Sequence, residues 1–529
     1  MHEEEQLEKQ AMLFNSHEFI FLFLPITLVL FFAFGAVSNQ LAALWLFAAS
    51  LLFYAWWNPI YVGLLLASVG VNFLLGTRIS RGVHGVSGAK ILLIIGIAVN
   101  LALLAYFKYA NFFVDNLNAV AGIHLELQKI VLPLGISFFT FTQIAFLVDA
   151  YRGEVKEYNI IHYGLFVTYF PHLIAGPILH HKEMMPQFAN RSVYRLNMDD
   201  IAIGLSVFSI GLFKKVILAD GVVSFVGPVF NAPATGIPVT FVDAWFGALA
   251  YTLQLYFDFS GYSDMAIGLS RLFGIRLPLN FASPYKAESI IDFWRRWHMT
   301  LSRFLKDYLY VPLGGNRKGL LRRYVNLFVT MLLGGLWHGA AWTFVVWGAL
   351  HGAYLVVNHA WRWIKERLGW VRGRVSWHAR WASRCLTFGV VVVAWVFFRS
   401  ENLNSAIEIV KAMFGMGSIV LPEQFHSRLG PVGGIFAEWG VAFGAIPNFA
   451  GAVQVKWVLG LLALVWLMPN TQQIMNGFEM PRMLAHGARP QFEFWQWEPK
   501  FFWAALAAIA FVASILNLTH TSEFLYFQF

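Results

Sequence analysis

The amino-acid sequence predicts an all-α polytopic integral membrane protein, and three observations carry that prediction. Hydrophobic residues fill 58% of the 529 positions and charged residues only 13%, whereas a soluble chain carries about 25% charged residues. Apolar runs recur along the whole chain, many near the roughly 20 residues that a helix needs to cross the hydrocarbon. Lys and Arg gather in short loops between those runs, as the positive-inside rule requires of cytoplasmic loops. The composition excludes a disordered chain, a coiled coil and an ordinary soluble enzyme. The net charge of +9 follows from the loops. It does not point to nucleic acid, because no basic stripe with interleaved aromatics stands on a soluble module.

In chain order, the apolar runs are Phe19–Phe34, Leu41–Trp57, Ile60–Gly76, Ile91–Phe107, Ile130–Val148, Ile201–Val226, Val242–Phe257, Leu320–Leu336, Ala341–Val357, Leu386–Phe398, Val455–Met468 and Phe501–Leu516. Tyr163–Leu179 is also apolar, but Pro171 and Pro177 interrupt it with Gly176 between them. Broken backbone is tolerated at membrane depth only where protein or a water-filled cavity satisfies it, so this stretch reads as a re-entrant or broken helix. Roughly 11–14 membrane segments are expected. The single cysteine, Cys385, allows no intrachain disulfide. It opens an apolar run with no histidine nearby, which argues against a thiol nucleophile. Residues 1–11 are polar and acidic and lack the basic start of a secretory signal. Met12 reads as a natural start.

Orientation follows from charge. The loop 77–90 carries Arg78, Arg81 and Lys90. Residues 316–324 carry Arg317, Lys318, Arg322 and Arg323, and residues 359–384 carry seven Lys and Arg. All three should face the cytoplasm. Counting spans from them places both termini outside the cell membrane, together with residues 401–456.

In so apolar a chain the informative residues are the polar ones, each costing a few kcal/mol at membrane depth unless it faces a polar cavity or a partner. His338 lies in Gly334-Gly335-Leu336-Trp337-His338-Gly339-Ala340-Ala341-Trp342, with no Lys or Arg within ten residues. It reads equally as a core histidine bonded to a carbonyl or as a general base near neutral pH. A second stretch, residues 290–316, is amphipathic at helical period. Trp294, Trp297, Leu301, Phe304 and Leu305 share one face, and Arg295, Arg296, Arg303 and Lys306 lie mostly elsewhere. It is expected as an interfacial helix, which leaves His298 unexplained. Arg295, Arg296 and Lys306 are also candidates to meet the phosphates of a nucleotide-bearing donor. In the third stretch, residues 255–265, Asp258 and Asp264 stand among aromatics. Asp258 is read as part of a polar kink bonded to neighbouring helices, and Asp264 is left open. His172, His180 and His181 lack zinc-ligand spacing, and His351 falls about 140° round an ideal helix from His338, so no metal is proposed. The aromatic end, Ser522 to Phe529, should tuck into protein or the membrane surface.

These stretches resemble the membrane-bound O-acyltransferase family, and within it the bacterial branch that O-acetylates alginate and other polysaccharides. The similarity is carried by residues 12–26, PLGISFFTFTQIAFLVDAYRGE from Pro133, YFPHLIAGPI from Tyr169, YFDFSGYSDMAIG from Tyr256, FWRRWHMTLSRFLKDYLYVPLGGNR from Phe293 and GGLWHGAAWTFVVWGALHG from Gly334. The resemblance implies a helical ring with a thin centre and a central tunnel, with Asp264, Trp337 and Tyr262 as candidate lining. It implies His338 as the catalytic histidine and His298 as a second polar position across the tunnel. It also implies that Tyr526, in an aromatic C-terminal motif, receives the acyl group.

The expected domains are an N-terminal extension 1–11, an acyltransferase domain 12–518 and a relay tail 519–529. No cofactor is expected. Acetyl-CoA is the expected acyl-donor substrate. Further partners are the lipid bilayer, a polysaccharide acceptor and a periplasmic polysaccharide O-acetyltransferase, with the bacterial inner membrane as the location. The rival class is a transporter or channel, and a scaffold for a periplasmic transferase is a third. Among acceptors, alginate comes first, with cellulose and peptidoglycan left open.

Overall fold

The computed structural model describes residues 12–82, 88–155, 157–370, 376–475, 495–518 and residue 525. The N-terminal extension lies outside them, as does the tail apart from Leu525. Tyr526 is among the residues outside.

The first half runs through α1 (Leu24–Val37), α2 (Asn39–Trp57), α3 (Ile60–Gly82), α4 (Ala89–Leu104), α5 (Ala110–Ala121) and α6 (Ile136–Tyr151). The broken stretch follows as α7 (Ile160–Thr168), α8 (Phe170–Leu173) and α9 (His181–Ala189), and then α10 (Met198–Phe213) and α11 (Phe241–Leu272). The second half has the short α12 (Ile290–Trp294) and α13 (Met299–Leu305), then α14 (Leu320–His338), α15 (Trp342–Arg367) and α16 (Trp377–Arg399). Next come α17 (Leu403–Met413), β1 (Ile419–Pro422), α18 (Glu423–Leu429), α19 (Pro431–Glu438) and β2 (Val441–Gly444), and finally α20 (Ala452–Leu467) and α21 (Phe501–Leu516). The two strands pair in parallel, with Ile419 opposite Val441.

Six of the described helical stretches are long and apolar enough to cross a membrane alone, and three shorter helices are apolar as well. Large apolar side chains also cover the outside, with Ile60 at 80% exposure and Phe501 at 89%. Such a surface is stable against lipid rather than water. The architecture is the all-α polytopic one that the sequence predicts.

The Pro-broken stretch is confirmed as broken, and every residue from Tyr163 to Leu179 is buried. Its freed backbone groups are met by side chains, as burial demands. Phe170 N donates to Ser50 Oγ at 3.2 Å, Ile178 N donates to Thr300 Oγ1 at 3.0 Å, and His172 Nε2 bonds Phe166 O at 3.0 Å.

Two expectations fail. The acidic stretch at 255–265 is not a kink. It lies inside α11, a continuous helix of 32 residues that begins with a capping box between Thr240 and Asp243. The carboxylates need no break in the helix because a π-helical turn, Lys214–Ala219, presents lysines to them. Residues 290–316 are also not one interfacial helix. The chain bends at His298, whose φ is +43°, and Trp297, Leu301, Phe304 and Leu305 are buried in the protein. Helical periodicity registers the apolar face but not a single residue that leaves the helical region.

Close helix contacts rest on glycine, the usual device where lipid offers no hydrophobic drive to association. α14 packs along α15, and a Cβ at Gly348 would stand 2.5 Å from Met331 O. Gly348→Val is therefore expected to destabilise the protein by about 1–3 kcal/mol through overpacking. Thermal unfolding in detergent checks this, with Gly389→Val as the control, because a Cβ at Gly389 meets nothing within 4 Å.

Candidate active site

α14 ends at His338. Gly339 and Ala341 are extended, and α15 then turns back against α14. The imidazole is 6% exposed. Rings from three helices and from the bend before α13 surround it: Trp337 at 4.9 Å between centroids, Trp347 at 5.2 Å, Phe398 at 5.2 Å and His298 at 6.4 Å. With centroids 6.4 Å apart, the two histidines are too far apart to bond directly.

His298 is fully buried. A non-glycine residue at positive φ costs about 1–3 kcal/mol and persists only where its surroundings over-determine it. Asn280 supplies that support. Its backbone carbonyl accepts from Met299 N at 3.0 Å. Its Oδ1 faces Thr300 N at 3.3 Å, Thr300 Oγ1 at 2.7 Å and His298 Nδ1 at 3.3 Å. A backbone N–H can only donate, so Oδ1 is an acceptor and His298 Nδ1 carries a proton. In the neutral ring Nε2 is then the acceptor nitrogen. Phe259 of α11 packs edge-on against the same ring at 4.8 Å.

Of the three residues expected to line a tunnel, Trp337 lies at this centre, stacked on Phe141 and touching both histidines. Tyr262 stacks on Phe14. Asp264 is tied to Lys214 at 2.6 Å, Thr471 at 2.6 Å and Gln472 at 3.1 Å, so both carboxylate oxygens are taken up in joining helices. Asp258 likewise pairs with Lys215 at 2.6 Å. A run of stacked and tilted rings leads to His338. Tyr308, Phe304, Phe141, Trp337 and His338 follow one another with centroid spacings of 5.0, 4.3, 5.1 and 4.9 Å.

The basic candidates divide. Arg296 is committed to Asp292 at 2.8 Å and to Ala282 O at 3.3 Å, which braces the bend. Arg295 is exposed, and Lys306 is 69% exposed beside Asp307. Arg303 makes a bidentate pair with Glu183 at 2.5 and 2.7 Å.

Several residues that sequence reasoning passed over stand out. Tyr308 donates to Asp149 at 2.8 Å and meets His180 Nδ1 at 3.1 Å, while His181 pairs with Asp149 at 3.1 Å. Lys108 Nζ donates to Trp337 O at 2.6 Å and His338 O at 3.0 Å, and Tyr109 OH donates to Leu336 O at 2.7 Å. A lysine inside an apolar run was the available signal for Lys108. Among the described residues no group of three or more His, Cys, Asp or Glu is placed to hold a metal. Leu525, which precedes Tyr526 in sequence, is 1% exposed and belongs to the apolar cluster containing Phe259 and Trp347. Its backbone bonds Asp258.

Two buried histidines thus share one ring-lined centre within a polytopic helical protein. Residues 88–389, which include both histidines, match the membrane-bound O-acyltransferase family. The chain belongs to that family and is an O-acyltransferase. It is similar to the peptidoglycan O-acetyltransferase of Helicobacter pylori, 44% identical over 439 residues that cover 78% of this chain and 81% of that protein. It is also similar to the probable alginate O-acetylase AlgI of Pseudomonas putida, 40% identical over 540 residues covering 98% and 100% of the two chains. The corresponding protein of Pseudomonas aeruginosa is 46% identical over 427 residues, covering 79% and 78%.

Asn280→Leu removes the acceptor that orients His298. Because a displacement of about 1 Å can cost 10²-fold, acyl transfer per membrane-inserted protein should fall on the order of 10- to 10²-fold. Thr300→Val leaves the Asn280–His298 bond in place and should cost less. Transfer rates normalised to protein in isolated membranes check both.

Proposed function

We propose that this chain O-acetylates a polysaccharide at the bacterial inner membrane, with alginate as the acceptor and acetyl-CoA as the donor. The observation that carries the reading is the opposed pair, His338 and His298, whose rings stand 6.4 Å apart in the family-matched region. Relatives named for alginate and for peptidoglycan O-acetylation support a polysaccharide acceptor.

The donor approaches from the side of the basic loops, which the charge pattern assigns to the cytoplasm. Exposed Arg295 and Lys306 are available to its phosphates, whereas Arg296 serves the bend. Entry of the thioester arm requires the rings of Tyr308, Phe304, Phe141 and Trp337 to part. His338 takes the proton of the attacking hydroxyl, a step typically contributing 10²–10⁴-fold. The oxygen bonds the thioester carbonyl carbon, the carbon–sulfur bond breaks, and the proton passes from the imidazolium to the departing thiolate. With Nδ1 protonated, a neutral His298 offers Nε2 only as an acceptor, so it can donate to the oxyanion of the tetrahedral intermediate only when its ring is protonated.

Tyr526 is the proposed first acceptor. The acetyl-tyrosine then passes its group to a periplasmic polysaccharide O-acetyltransferase, and both termini face the periplasm. Leu525, the residue before Tyr526 in sequence, is buried in the apolar cluster that contains Phe259, which supports this reading. A second acceptor, peptidoglycan, is favoured by the 44% identity to the Helicobacter pylori enzyme. Acetate released by mild alkali from purified alginate and from purified sacculi distinguishes the two.

His338→Ala should abolish acetylation while the protein still inserts, and normal acetylation by that variant refutes the assignment. Tyr526→Phe should behave in the same way. Retained acetylation there removes the relay and leaves the enzyme with direct transfer to sugar.

A further inference from the structure

The final carbonyls of an α-helix have no partner within the helix, and its C-terminal end carries about half a negative elementary charge. α14 ends inside the protein, next to His338. The residue after it, Gly339, is extended at φ −160° and ψ 150°, so the helix does not close through a left-handed glycine. The closure comes from another part of the chain. Between α4 and α5 lies a π-helical turn, Ala105–Tyr109, a feature that often marks functional positions. Two successive residues at its end reach the last turn of α14. Tyr109 donates to the Leu336 carbonyl at 2.7 Å, and Lys108 donates to the carbonyls of Trp337 at 2.6 Å and His338 at 3.0 Å. The remaining donor of the ammonium goes to Ser137 Oγ at 3.3 Å. An ammonium has three N–H donors, so all are engaged and none is left to bind substrate. Lys108 also stands over the Trp337 ring, 5.9 Å from its centroid.

We propose that Lys108, together with Tyr109, is a positioning residue of acyl transfer: the ammonium closes the helix end that carries His338 and fixes the imidazole opposite His298. The inference rests on the reading of His338 as the base. A cation is suited to this task because it both satisfies carbonyls and complements the helix dipole. The placement also binds α4 to α14, so the position of the base is set by an element more than 200 residues away in sequence.

The test measures initial rates of polysaccharide O-acetylation in producing cells for Lys108→Met, Lys108→Arg, Tyr109→Phe and His338→Ala. Each rate is normalised to protein in the membrane, and each variant is checked by unfolding in detergent. Lys108→Met should lose on the order of 10²-fold at near-normal membrane levels. Lys108→Arg should recover a large part of the rate, and Tyr109→Phe should lose about tenfold with no change in charge.

Lys108→Met acetylating within twofold of the parent, beside an inactive His338→Ala, overturns this inference alone. So does a loss that only tracks the amount of inserted protein. Where Lys108→Met does not insert, an undiminished rate in Tyr109→Phe overturns it. Normal acetylation by His338→Ala removes the assignment of the base, and this inference with it.

Discussion

A polar group that enters the apolar interior of this protein is stabilised there by a partner from the chain itself. Lipid offers none, and each unmet donor or acceptor costs several kcal/mol. That constraint fixes the most distinctive contacts. Lys214 and Lys215 answer Asp264 and Asp258 on α11. Ser50 and Thr300 answer the backbone freed by the prolines of the broken stretch. Lys108 and Tyr109 answer the open end of α14. Each pairing joins elements distant in sequence, so satisfying the polar groups also assembles the helices.

Four of these partners sit in π-helical turns, Lys108 and Tyr109 in Ala105–Tyr109 and the two lysines in Lys214–Ala219, and Tyr308, which donates to Asp149, sits in a third, Lys306–Tyr310. A π-helical turn widens the helix by one residue and shifts which side chains face a neighbour. In an apolar helix this lets a cation or hydroxyl face inward while the residues on either side continue to face lipid or core. Polar chemistry is thereby inserted into spans without breaking them.

The histidine pair is built on opposite principles. His338 is held by regular structure, at the end of a helix packed closely on its successor through Gly335 and Gly348. His298 is held by irregular structure, at a strained bend whose geometry the single side chain of Asn280 maintains through three donors. One imidazole is set by helix packing and the other by a hydrogen-bonded loop. The distance between them therefore depends on the whole assembly and not on either segment alone.

Composition, run length and loop charge determined the all-α polytopic class, and the two prolines determined that residues 163–179 would be broken. The local motifs singled out His338 and His298 because their residue types are costly in apolar surroundings and their flanking sequences are specific. The tertiary structure decided how the polar residues are used. Asp258 reads as part of a kink in sequence but lies with Asp264 on an unbroken helix, because their lysines come from α10's continuation. Residues 290–316 read as one surface helix but bend at His298, because Asn280 stabilises a backbone angle that side-chain periodicity does not encode. Lys108 drew no notice, because its partners lie 229 and 230 positions away. Periodicity and charge counts report what a residue is and which face it occupies. Which remote group satisfies it is settled only when the chain has folded.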